Sequence, residues 1–92
     1  MPARHGQARN TAKLHVTVTE LAGVQRVLTM LTGRRYQLTR FDAEEEGAGR
    51  WRVGLDLVAD PGQVELLEAR LHRVPSVLAV DVKPAGALAA TA

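Results

Sequence analysis

Between Lys13 and Lys83 the spacing of apolar residues changes period four times, and this constrains the fold of so short a chain more than any single motif. Lys13 to Thr19 alternates, with Leu14, Val16 and Val18 on one side and His15, Thr17 and Thr19 on the other, as in a half-buried strand. After Ala22-Gly23 the period becomes helical. Val24, Val27, Leu28 and Leu31 stand at i, i+3, i+4 and i+7, and Gly33 supplies a stop. Tyr36 to Ala43 alternates less cleanly, with Leu38 its expected core residue, and Glu44 to Gly49 reads as a polar turn. Trp51, Val53, Leu55 and Leu57 then alternate with Arg50, Arg52, Gly54 and Asp56, so the two runs form a hairpin. Asp60 caps a second helix, with Pro61 at its first position, Gln63 as capping-box partner and Val64, Leu67, Leu71 and Val74 as its stripe. Pro75 ends it, and Val77 to Lys83 makes a last strand carrying Leu78, Val80 and Val82.

The order βαββαβ, with one apolar stripe per helix, predicts an α+β fold. It is a ferredoxin-like two-layer sandwich, with both helices on one face of a four-stranded antiparallel sheet. Right-handed crossovers place the first and third strands in the centre. The expected domain spans residues 13–83. Residues 1–12, polar and rich in Gly, Ala and Arg, read as a disordered tail, and residues 84–92 as a flexible small-residue tail.

At 92 residues the chain has room for one domain and little for a Rossmann domain or a barrel. It has no cysteine, which excludes a disulfide scaffold, a thiolate zinc site and a cysteine nucleophile. That absence fits a cytoplasmic protein. No run approaches the roughly 20 apolar residues of a membrane span, and the N-terminus has no signal-peptide core. Twelve cations against ten acids give a net charge of +2, and Arg4, Arg9 and Lys13 precede the first apolar run, so the folded part is close to neutral.

Chemistry-bearing patterns are sparse. His5, His15 and His72 share no metal-ligand spacing. Glu44, Glu45 and Glu46 read as a solvated charge run, Ser76 is the only serine, and no phosphate-cradling glycine loop occurs. No catalytic residue, metal site or cofactor site is expected, and the chain does not read as an enzyme. RNA-recognition modules share this element order, but they stack bases on exposed aromatics, whereas Trp51 falls in phase with the core. Arg34, Arg35, Arg40, Arg50 and Arg52 form the only candidate phosphate patch, so nucleic acid is a minor alternative.

One segment goes further. Val16-Thr17-Val18-Thr19-Glu20-Leu21-Ala22-Gly23-Val24-Gln25-Arg26-Val27 resembles the opening of an ACT domain, where a first strand runs through a short loop into a helix. Leu31 to Leu38, Leu-Thr-Gly-Arg-Arg-Tyr-Gln-Leu, is similar to that family's helix end and second strand. Leu71 to Val80, Leu-His-Arg-Val-Pro-Ser-Val-Leu-Ala-Val, resembles the closing segment of acetolactate synthase small subunits.

The resemblance implies a regulatory role: a homodimer that binds an amino acid effector such as valine at its interface and associates with a thiamine-dependent catalytic large subunit. The carried-over site is Glu20, Leu21, Ala22, Gly23 and Val24, facing Gln37 and Leu38 of the neighbouring chain. Gly23 would let backbone amides approach the ligand, and the helix N-terminus after it favours a carboxylate. Four positions depart from the family pattern. Glu20 and Gln37 replace asparagines, Ala22 replaces proline, and Arg35 falls where glycine is usual. These departures point to an effector-insensitive, partner-binding subunit as the other reading. The polar free sheet face (His15, Thr17, Thr19, Arg52, Asp56) implies association through strand edges or helices, to which Leu66 would contribute.

Overall fold

The computed structural model describes residues 10–84; of the expected tails 1–12 and 84–92, residues 1–9 and 85–92 lie outside the described residues, whereas residues 10–12 and 84 belong to strands. The elements are β1 (Asn10–Val18), α1 (Leu21–Gly33), β2 (Gln37–Gly47), β3 (Arg50–Ala59), α2 (Pro61–His72) and β4 (Val77–Pro84). The strands form one antiparallel sheet in the order β2-β3-β1-β4, so the first and third strands are central, as the element order predicts. This is the ferredoxin-like α+β sandwich.

The core is the inward phase of the two central strands under the two helices. Leu14, Val16 and Val18 of β1 and Val53, Leu55 and Leu57 of β3 are fully buried against Val27 and Leu31 of α1 and Leu67 and Leu71 of α2. α2 begins with the expected capping box. Asp60 accepts from the Gln63 amide at 2.8 Å, and the Gln63 side chain accepts from the Asp60 amide at 3.0 Å.

Several boundaries differ from the sequence reading. β1 starts at Asn10 rather than Lys13, because Ala12 fills a core position opposite Leu57. β2 runs on through Glu44, Glu45 and Glu46 to Gly47, so the glutamates are strand residues and not a turn. The turn is confined to a stretch of positive φ, +119° at Gly47, +55° at Ala48 and +80° at Gly49. A register shift between Leu38 and Arg40 explains the untidy alternation of β2: Leu38, Phe41 and Ala43 all pack on the core despite their odd spacing. A second shift, at Thr17/Val18, pairs Ala79 and Val77 with β1 and leaves Leu78 outside the ladder and exposed, where alternation had put it in the core. Leu28 is also outside the core. Gly23 takes the inward position on α1 that apolar spacing does not reveal.

Candidate functional site: the β1–α1 corner and the open sheet face

Glu20 is the N-cap residue of α1, in extended conformation, but its side chain does not cap the helix. It turns instead toward the α2–β4 turn. There the Ser76 hydroxyl donates to the Glu20 carboxylate at 3.3 Å and accepts from the Arg26 guanidinium at 3.2 Å. Arg26 stands 3.9 Å from the same carboxylate. The Thr19 amide donates to the Ser76 carbonyl at 3.0 Å, so side chains and backbone together tie the corner to the start of β4.

Gly23 sits under this clasp. A Cβ there would lie 2.8 Å from Cβ of Ser76 and 2.9 Å from Cβ of Val18. The glycine therefore serves close packing between α1, β1 and the α2–β4 turn, and its inner side is closed to a ligand. Any larger side chain at Gly23, valine included, would therefore disturb the fold at this corner. The outer side of the corner is open and apolar. Leu21 is 58% exposed and Leu28 37%, and with Ala22, Val24 and Gln25 they line a shallow depression of about 390 Å³ along α1.

The other carried-over residues, Gln37 and Leu38, begin the edge strand β2, with Gln37 exposed and Leu38 half-buried. They pair with Val58 and Leu57 of β3, whereas the corner follows Val18, which pairs with Trp51. Within one chain the two halves of the site thus lie at opposite ends of the sheet, separated by the 13-residue α1, about 20 Å long. Arg35, in the connection between them, has a φ of +61°, the left-handed conformation that explains why a glycine would suit that position better.

The open sheet face is a lattice of charges. Asp56 accepts from Lys13 at 3.4 Å and from Arg40 at 3.1 Å, and Arg40 also pairs with Asp42. The hydrogen bond from Arg40, with help from Lys13, holds the Asp56 carboxyl below its usual range in spite of burial, which acts the other way. His15 lies in the middle of this face. Burial first, then Arg52 and Lys83, lower its pKa, so it is neutral at pH 7, against the opposing influence of Asp81. Arg40 pairs with Asp42 and Asp56, and Trp51 packs half-buried on the core rather than standing exposed as a base-stacking aromatic does. Among the described residues no three His, Asp or Glu side chains converge as metal ligands do, and no helix is long and apolar enough to cross a membrane.

Sequence reasoning missed Ser76 and Arg26, since partners 50 residues apart leave no local pattern. The available signal was Gly23 standing four residues before Val27, in phase with the buried stripe once the helix is extended back to Leu21.

No protein-family model matches the chain, and no curated protein matches it in sequence. Solved structures do resemble it. The ACT domain of GTP pyrophosphokinase from Chlorobium tepidum aligns with a TM-score of 0.68 at 13% identity, covering 82% of this chain and 99% of that one. The C-terminal domain of the MgtC protein from Mycobacterium tuberculosis gives 0.67 at 16%, covering 86% and 90%. The Thermotoga maritima protein TM1266 gives 0.70 at 17%, covering 83% and 96%. The fold is thus ACT-like, and at these identities the likeness speaks for the fold alone.

Proposed function

We propose that this chain is a non-catalytic, ACT-type regulatory domain that binds a small amino acid where two copies meet. The enzyme it governs is a biosynthetic one, such as acetolactate synthase in branched-chain amino acid synthesis. The observation that carries the reading is the separation of Glu20–Val24 from Gln37–Leu38 along α1. A ligand can touch both only if a second copy, turned end for end, brings its β2 start to this copy's corner. Exposed Leu21 and Leu28, with half-buried Val24 between them, supply apolar surface for such a contact. At the corner the α1 N-terminus is a favourable place for the effector's carboxylate, and Leu21 and Val24 suit an aliphatic side chain such as that of valine.

The second reading, a partner-binding subunit that responds to no amino acid, is favoured by the clasp. Glu20 puts a negative charge at the helix N-terminus, and among the described residues only Arg26 and the Ser76 hydroxyl pair with it. Thermal unfolding against each standard amino acid at millimolar concentration separates the two. A ligand at 100 times its dissociation constant adds about 2.7 kcal/mol, a rise of several degrees in a domain this small. A selective rise with valine or a close relative supports the first reading, and a flat panel supports the second.

A further inference from the structure

The open face of the sheet carries a hollow that has no part in the composite site. It is lined by His15, Asp42, Glu44, Arg52 and Gly54 and encloses about 220 Å³, below the size of a drug-like pocket and suited to a small molecule. Two rows of the ladder build it. His15, Gly54 and Asp42 stand side by side across β1, β3 and β2, and Thr17, Arg52 and Glu44 form the next row. The floor exists because residue 54 has no side chain.

Gly54 occupies the middle of a central strand, where glycine weakens pairing, and its φ is not in the positive range that would require glycine. A Cβ there would come within 3.0 Å of the Asp42 carboxylate and 3.4 Å of an Arg40 nitrogen, so the glycine lets the ends of these two side chains lie close over the strand at one side of the hollow. Around that space the charges are not spent on one another. Asp42 is held by Arg40, but Arg52 and Glu44, cross-strand neighbours of opposite sign, form no hydrogen bond or ion pair among the described residues. Nδ1 of His15, shielded from solvent, also has no hydrogen-bond partner there. An uncommitted cation and an uncommitted anion on one rim, over a glycine floor, match a ligand that carries both charges.

We propose that this hollow binds a small zwitterion, its anionic group against the Arg52 guanidinium and its cationic group against the Glu44 carboxylate, with Gly54 beneath it. It shares no residue with the corner or with the β2 start, so it stands or falls separately from the composite site. Arg52 is suited to the role because its planar fork can hold a carboxylate with two parallel hydrogen bonds.

The test is an amide-resolved NMR titration of the full chain with glycine, β-alanine and 4-aminobutyrate, and with acetate and ethylamine as single-charge controls. At least one zwitterion is expected to move the His15, Arg52 and Gly54 signals along a saturable curve, with each control at least about tenfold weaker. Arg52→Met and Glu44→Gln, both at exposed strand positions, are each expected to weaken that binding at least about tenfold with the rest of the spectrum retained. Absence of saturable shifts at these residues overturns the proposal. So do controls that bind as well as the zwitterions, or variants that bind as the parent does.

Discussion

Two glycines of the described domain are buried, Gly23 in α1 and Gly54 in β3, and they are buried for opposite reasons. At Gly23 the missing side chain is replaced by neighbours: Ser76 and Val18 fill the space, and the Glu20–Ser76–Arg26 clasp closes over it. At Gly54 the nearest neighbours are the far ends of Asp42 and Arg40, over a hollow on the polar face. A glycine that resembles a ligand-binding feature is thus a packing feature, and a glycine that reads as a gap in a good strand floors the better-formed polar cavity. Absence of a side chain says that something comes close, and only the neighbours say what.

Substitutions sharpen that contrast. Gly23→Ala is expected to cost about 1–3 kcal/mol in denaturant unfolding, because backbone-anchored Cβ atoms at 2.8 and 2.9 Å have to move apart. Stability equal to or above the parent's would show that the corner is loose. Asp56→Asn is expected to cost about 1–2 kcal/mol near neutral pH by replacing the carboxylate shared by Lys13 and Arg40 with a neutral amide that has one acceptor oxygen in place of two. Its pH dependence follows from sign. The folded-state pKa lies below the ordinary aspartate value, so the stabilisation is present above that ordinary value and is lost as pH falls through the folded pKa. The variant should therefore show a shallower acid limb than the parent, and identical acid limbs would remove Asp56 from the explanation. Arg35→Gly is expected to stabilise by about 0.5–1 kcal/mol, relieving a φ of +61° that costs a side chain and not a glycine. Gly54→Ala should change stability by less than about 0.5 kcal/mol, since the atoms it meets are ends of flexible side chains, while filling the hollow's floor. A large loss there would mean that the two glycines are buried for the same reason.

The period changes in the apolar pattern carried nearly the whole architecture, because a two-layer sandwich needs little more than one buried face per strand and one stripe per helix. Asp60, Pro61 and Gln63 announced α2 through purely local chemistry, and the structure has that capping box. What escaped was non-local. The bulges that expose Leu78 and bring Phe41 inward depend on pairing with another strand, which alternation within one strand does not encode. The run Glu44–Glu46 looked like a turn by charge, yet its residues sit on an edge strand that leaves them in water, where charge is no obstacle to pairing. The corner residues were found by resemblance, but the filling of Gly23 by Ser76 requires the third dimension. The hollow at Gly54 had one visible sign, a glycine interrupting the cleanest strand in the chain.

The composite effector site is tested most directly by an amide-resolved NMR titration with valine, reading Glu20–Val24 and Gln37–Leu38 in the same spectra. If two copies build one site, both sets of signals shift together along one saturable curve. Glu20→Asn then tightens that curve by about fivefold, the ~1 kcal/mol between two unit charges 4 Å apart in water. Shifts at the corner without any at Gln37 and Leu38, or none at either, would contradict a site shared between two copies.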